Sequence, residues 1–312
     1  MPKRSPDLSL IVATYNQSSF LPLVLKSIEQ QRVEAEYEVV FCDDGSSDET
    51  FPIIRSWADE HPDIDARFIW QPDRGFRLSR SRNNGLRVMQ GEIAVFVDAD
   101  TWLAPSFLQD HFSAHRNSHE NLIVAGVVLS IETSGLSDCD RLATAAIATS
   151  GESVPEHARW LSTNQPWMAC LGGNLSVPKV LGLYLDESIE GWGSEDRDYA
   201  YRLTQAGCRP YLIQPVNAVQ FRIAGNAPSW HPLLAGTHSA VVRFLAAKAH
   251  LKRKYPSGSM DASLQLVRYC WLDTASDRWS CLPQMLRPES AAEIIEEFER
   301  WMEQDPTRQE PG

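Results

Sequence analysis

The stretch Glu92–Asp100, EIAVFVDAD, decides the fold. Its apolar run Ile93–Val97 is short, β-rich and uninterrupted, which reads as a strand buried on both faces. The run ends in Asp98 and Asp100, two positions apart, so in extended backbone both side chains point the same way. Carboxylates held that close repel each other unless one is protonated or a cation sits between them. A hard divalent ion with oxygen ligands resolves the conflict. Taken alone, the same residues also describe a strand followed by an aspartate-rich turn and helix cap.

The flanking sequence repeats one pattern. Leu8–Ala13 is a short buried strand broken by Thr14-Tyr15-Asn16, and Ser18–Gln30 has helical spacing. Tyr37–Cys42 is a second strand that runs into Asp43-Asp44-Gly45-Ser46-Ser47-Asp48, where Ser46 or Ser47 can cap a helix reaching about Glu60. Arg67–Trp70 is a third strand, Gln71–Arg77 a loop and Ser79–Gln90 a helix. Alternating strands and helices predict an α/β fold, a mostly parallel doubly wound sheet with helices on both faces. Such sheets bind ligands at the carboxyl ends of their strands. Three of those ends carry polar clusters: Thr14-Tyr15-Asn16, Asp43-Asp44 and Asp98-Ala99-Asp100. No GxGxxG follows the first strand and no Walker-type loop is present, which sets aside a dehydrogenase-type or P-loop nucleotide site.

Further on, Ala104–Asn117 reads as a helix, Asn121–Ile131 as one long strand, Leu136–Thr149 as a helix and Gly151–Pro166 as a surface loop. Leu175–Val177 is a short strand after Gly172-Gly173-Asn174, and Pro178 is placed to open a short helix. Gly191-Trp192-Gly193-Ser194 leads into a helix from Glu195 to Ala206, and Pro210–Ile213 and Ala218–Phe221 are closing strands. From about Gly225 the character changes to helices at Leu234–Tyr255, Asp261–Trp271 and Glu289–Met302. The expected organisation is a first domain over residues 1–224, in two parts at about 8–100 and about 101–224. A C-terminal helical extension over 225–312 follows, with a disordered tail at 303–312.

The 312 residues are long enough for a sizeable core. A net charge of −12 argues against a nucleic-acid surface. The opening MPKRSPDLSL is neither a signal peptide nor a span, and no later stretch is long enough to cross a bilayer. Six scattered cysteines without a CxxC pair read as buried thiols in a reducing cytoplasm, with no zinc site. The basic cluster Lys248–Lys254 reads as a solvated helix end, with peripheral attachment to the inner face of an anionic membrane as the alternative.

Six stretches in order resemble the inverting family 2 glycosyltransferases of the GT-A fold: LIVATYNQ, FCDDGSSDET, QPDRGFRLSRSRNNGL, VFVDAD, LGGNLSVP and GWGSEDRDYAYRLTQAGC. Within that family they look like the branch of chondroitin-type polymerases, and resemble β-1,4-galactosyltransferases on the acceptor side. The resemblance covers about residues 8–221. It implies a UDP-sugar donor, a saccharide or lipid-linked acceptor, and Mn²⁺ or Mg²⁺. Thr14, Tyr15 and Asp44 would then hold the base and ribose, an acceptor-only carboxylate at Asp44 suiting the uracil N3–H. Asp73, with Arg74, Arg80 or Arg82, would lie near uracil and diphosphate, where guanidinium forks and a helix start suit phosphate. Asp98 and Asp100 would hold donor and metal, Gly173 and Trp192 would shape the sugar pocket, and Glu195 would contact the acceptor. Asp196 would be the general base of a single in-line displacement. The bland alternatives are a turn aspartate at Asp44, a role that Asp43 or Asp48 fits better, a pair of first-turn acids at Glu195 and Asp196, and a packing residue at Tyr15.

Relatives carry a metal-binding histidine on the strand after the acceptor helix, where this chain has Gln220. Either His231 reaches the metal from a loop, or Asp100, phosphates and water suffice, or the protein binds a nucleotide sugar with little turnover. The leading reading is an enzyme. The rivals are a non-catalytic nucleotide-sugar-binding partner in a biosynthetic assembly, and a metal-dependent phosphohydrolase that would leave GWGSED without a role.

Overall fold

A computed structural model describes residues 5–150, 156–179, 182–214, 216–223, 237–305 and 308. His231 lies outside these, as do the start of the helix expected at Leu234, part of the segment after Pro178 and most of the tail 303–312. The chain begins with β1 (Leu8–Thr14), α1 (Leu21–Glu29), β2 (Tyr37–Asp43), α2 (Thr50–Glu60), β3 (Asp65–Trp70), α3 (Leu78–Val88) and β4 (Ile93–Asp98). The expected strand–helix alternation is what forms. There follow β5 (Thr101–Leu103), α4 (Phe107–Arg116), β6 (Leu122–Ala125), β7 (Val128–Thr133), α5 (Cys139–Ser150), β8 (Asn174–Pro178), α6 (Glu195–Gln205), β9 (Arg209–Leu212) and β10 (Ala218–Ile223).

A seven-stranded sheet has the order β3-β2-β1-β4-β8-β6-β9, and a second sheet has the order β5-β10-β7. β1 pairs in parallel with β2 and β4, in a register that sets Thr14 beside Asp43 and Ala13 beside Asp98. The polar clusters therefore share one edge. β8 runs antiparallel between β4 and β6, so its amino end meets the carboxyl end of β4, with Asn174 opposite Val97. That reversal carries the Gly172-Gly173 turn to the same edge. Side chains alternate across the sheet: Leu8, Leu10 and Val12 pack with Leu21, Ile54, Trp57 and Phe107, whereas Ile11 packs with Leu86, Tyr199 and Leu203. Each such buried aliphatic or aromatic side chain contributes about 1.5–3 kcal/mol.

Two expectations are corrected. The single strand predicted at Asn121–Ile131 is two strands in different sheets, β6 and β7. The break is at Gly126, whose N–H donates to Asn174 O at 2.9 Å while the Asn174 side chain occupies the space a Cβ would need. The helix predicted at Asp261–Trp271 is one α-helical turn (Asp261–Leu264) and a 3₁₀ segment, Gln265–Tyr269. Cys270–Asp273 (β11) then pairs antiparallel with Arg278–Cys281 (β12). Asp277 at φ 55° turns the hairpin, and Trp279 packs edge-on against Phe298 and Trp301. Around the hairpin stand α7 (His238–Lys254) and α8 (Ala291–Glu303), the latter opened by a Ser290/Glu293 capping box. All six cysteines are buried free thiols, as expected.

A buried polar network ties α4 to the start of β8. The ring nitrogens of His111 lie 2.8 Å from Ser176 Oγ and 2.9 Å from Asn174 Oδ1, and His115 Nε2 is 2.8 Å from the same serine. Asn174 also donates to Asn217 Oδ1 at 2.9 Å, and Asn217 to Asp110 at 3.1 Å. The Asn174 side chain thus points away from the sheet edge and anchors the glycine turn. Burial pushes the His111 pKa down to about 3 and that of His115 down to about 4. The unfolded chain takes up these protons below about pH 6.5, which the folded chain resists until the lowered values, so stability falls as pH drops through that window. His115→Gln should remove about 1–2 kcal/mol of the stability difference between pH 7 and pH 5, measured by urea unfolding. An unchanged difference would show that His115 is protonated in the folded state.

Candidate active site

The edge at the carboxyl ends of β1 and β2 is built from turns that hold their carboxylates firmly. Asp43 accepts from Thr14 Oγ1 at 2.7 Å and from the amides of Gly45 and Ser46 at 3.0 and 2.7 Å. It is the turn aspartate. Asp48 accepts Thr50 N at 3.0 Å near the start of α2, a task the sequence assigned to Ser46 or Ser47. Asp44 is freed for another use. It is 6% exposed, takes Gln71 Nε2 at 2.5 Å and Arg77 N at 2.7 Å, and burial raises its pKa. The Tyr15 hydroxyl donates to Asp73 Oδ2 at 3.0 Å, which links the loop after β1 to the loop after β3. Asp73, Arg74 and Arg80 are exposed.

Of the three candidate arginines, Arg82 is the one inside. It is 2% exposed, and Nη2 donates to Asp98 Oδ1 at 2.8 Å and to Gly172 O at 3.0 Å. Nη1 lies 3.6 Å from Glu195 Oε1. The glycine turn closes on this centre: a Cβ at Gly172 would come within 2.5 Å of Arg82 Nη1, and one at Gly173 within 2.9 Å of Asp98 Oδ2. Gly172 N–H in turn donates to Asp196 Oδ2 at 3.0 Å. Asp98, Arg82, Gly172, Glu195 and Asp196 are therefore one connected set, although the sequence spreads them over four segments.

Glu195 and Asp196 open α6 but face differently. Glu195 is buried beside Arg82 with Oε2 unpartnered, and burial followed by the charge of Asp196 raises its pKa. Asp196 is half-exposed and takes Arg197 N at 2.7 Å. The preceding Ser194 has φ 84°, an uncommon value for a residue with a Cβ. It is held there by Lys248 of α7, whose Nζ donates to Ser194 Oγ and, at 3.3 Å, to Gly193 O. Lys248 is 1% exposed, and burial lowers its pKa to about 7. Its neighbours Lys252, Arg253 and Lys254 pair with Glu296, Glu299, and Asp186 and Asp198. The solvated basic helix end expected at Lys248–Lys254 is corrected: its first member is a buried site residue, invisible in the sequence because its helix alone does not show what packs on it. Trp192 is half-buried, its ring 6.2 Å from that of Phe244 on α7, and Gly191 N donates to Phe76 O at 3.1 Å.

Asp100 is half-buried, and Gln220 Nε2 donates to both of its oxygens at 3.2 Å. Gln220 thus stands where the missing histidine was expected. Burial, then the charge of Asp98, raises the Asp100 pKa. Two oxygen-donor carboxylates with this conflict suit a hard divalent cation. Among the described residues no group of three or more His, Cys, Asp or Glu forms a complete protein cage. Arg82→Met would strip Asp98, Glu195 and Gly172 O of their shared donor. Breaking a buried pair costs about 3–5 kcal/mol, and the solvent access of Asp98 reduces this to about 2–4 kcal/mol. Urea unfolding should show that loss. A change under about 0.5 kcal/mol, the range of ordinary surface substitutions, would remove Arg82 from the centre of the site.

Residues 9–146 match the family described as glycosyl transferase family 2. Hyaluronan synthase of Pasteurella multocida is 28% identical over 230 residues, which cover 64% of this chain and 23% of that one. The chain spans roughly a quarter to a half of the length of its first curated relatives. The structure of Staphylococcus aureus TarS 1–349 in complex with UDP-GlcNAc aligns with a TM-score of 0.55 at 16% identity, covering 83% of this chain and 72% of that one. A mannosyltransferase from Pyrobaculum calidifontis, in complex with GDP-Man and Mn²⁺, aligns with a TM-score of 0.52 at 19% identity, covering 99% and 84%. Fold, motif order and sequence agree: residues 9–146 match glycosyl transferase family 2, and the chain has the GT-A architecture of these solved glycosyltransferases.

Proposed function

We propose that this protein transfers a sugar from a UDP-sugar to a hydroxyl of a saccharide or lipid-linked acceptor, with inversion at the anomeric carbon. The observation that carries this reading is the connected set from Asp98 through Arg82 and Gly172 to the half-exposed Asp196. It joins a donor-side carboxylate to a second carboxylate suited to proton abstraction. A solved GT-A neighbour that holds UDP-GlcNAc supports the choice of nucleotide.

In this reading Asp44 accepts the uracil N3–H through a lone pair left over after Gln71 and Arg77 are satisfied. Thr14 and Tyr15 border the base and ribose, and Asp73 orients the Tyr15 hydroxyl. Gly173, having no side chain, leaves room for the sugar beside Asp98. Trp192 offers the acceptor an apolar face. Asp98 and Asp100 would hold Mn²⁺ or Mg²⁺, which supplies charge neutralisation at the leaving diphosphate. Gln220 keeps Asp100 oriented without cancelling its charge. Asp196 takes the acceptor proton as the acceptor oxygen bonds to C1 and the bond from C1 to the diphosphate oxygen breaks. Glu195, buried on Arg82 and near Lys248, fixes the first turn that presents Asp196.

Asp196→Asn should lower acceptor-dependent UDP release by about 10²–10⁴-fold, the usual contribution of a general base, and leave UDP affinity within about twofold. Normal transfer by this variant would remove Asp196 as the base. Across a panel of UDP-sugars and saccharide acceptors with Mn²⁺, UDP binding without turnover would favour a nucleotide-sugar-binding partner, and acceptor-independent release a phosphohydrolase. Asp100→Ala should abolish the tightening of UDP binding that Mn²⁺ produces in the wild type. Equal Mn²⁺ dependence in both would place the ion elsewhere.

A further inference from the structure

Arg243 stands on α7, outside every segment that resembles the family. Its guanidinium lies against Gly75 in the loop after β3: a Cβ on Gly75 would collide with Arg243 Nη1, and at φ 83° that position already favours glycine. Its charge acts on the phenol of Tyr15, and its backbone oxygen is 3.0 Å from where a Cβ of Gly191 would be. Arg243 therefore sits where the donor-side loop meets the acceptor-side loop, the same junction closed by the bond from Gly191 N to Phe76 O.

The side chain is half-buried, yet Nε is enclosed with no acceptor, and among the described residues no carboxylate pairs with the guanidinium. Other arginines of this chain are matched: Arg87 with Glu187, Arg202 with Asp198, Arg287 with Glu289 and Glu297. The acids around Arg243 are engaged by other donors, Asp73 by Tyr15 and Gly75 N, Asp44 by Gln71 and Arg77 N. An enclosed Nε–H without an acceptor is costly, and a ligand oxygen removes the cost. Its planar fork matches a phosphate in two-point contact.

We propose that Arg243 binds the diphosphate of the donor nucleotide, so that α7 completes the donor site. This rests on the UDP-sugar reading above. Calorimetric titration of the full chain with UDP, and with uridine by competition, separates the two claims. Arg243→Gln should weaken UDP binding tenfold or more and leave uridine within twofold. If that variant does not fold, Arg243→Lys, which keeps charge but loses the fork, should weaken UDP by a smaller factor and uridine not at all. Unchanged UDP affinity, or equal losses for UDP and uridine, would overturn the assignment, the second by making Arg243 a base or ribose contact. Wild type that binds GDP in preference to UDP would overturn the nucleotide reading alone; Arg243→Gln should then cost GDP more than guanosine. Wild type that binds neither would overturn both.

Discussion

Burying the Arg82 guanidinium is the constraint on which the site depends. A cation 2% exposed must find acceptors, and Arg82 finds three from different parts of the chain: Asp98 at the end of β4, the carbonyl of Gly172, and Glu195 at the start of α6. None of the three can move far without stranding a desolvated charge. The distance between donor-side and acceptor-side carboxylates is thereby set by one side chain. Phe96 of β4 adds a ring 5.9 Å from the guanidinium carbon, so the hub is seated on the sheet itself.

Topology explains how distant segments reach that hub. Parallel pairing of β1, β2 and β4 brings Thr14, Asp43 and Asp98 to one edge, and this follows from strand–helix alternation that the sequence displays plainly. The antiparallel insertion of β8 does not follow from local pattern, because a five-residue strand carries no mark of its direction. Yet that direction delivers Gly172 and Gly173 to Arg82 and Asp98. Motif order singled out the glycines, and the sheet explains why they stand beside Arg82 and Asp98.

What stayed hidden in the sequence has a common cause. Arg74, Arg80 and Arg82 are equivalent as letters in a basic helix start, and burial alone distinguishes them. Lys248 and Arg243 lie on a helix whose sequence matches no motif, and their significance comes from the loops they touch. Ser194 offers the clearest example: its left-handed backbone is stabilised by a lysine 54 residues away. The helix expected at Asp261–Trp271 runs into the first two residues of the hairpin Cys270–Cys281, whose remainder carries no sequence prediction, because its strands are four residues each, too short for alternation to show.

The distribution of charge distinguishes the two ends of the site. At the acceptor end Glu195 has Arg82 and Lys248 nearby, so the acid pair is balanced by cations belonging to the fold. At the donor end Asp98 has Arg82, whereas among the described residues Asp100 has the neutral donors Gln220 and Thr101, and both burial and Asp98 work against its ionisation. A histidine in place of Gln220 would add a ligand; the amide instead fixes the carboxylate and leaves its charge uncompensated. In the proposed reading the burden of holding a cation then falls on Asp98, Asp100 and the oxygens of the nucleotide. In the proposed reading, charge balance at Asp100 comes from the nucleotide and its cation, whereas Asp98 and Glu195 share a cation that belongs to the fold. That division matches a fold whose rigid hub is shared by both ends.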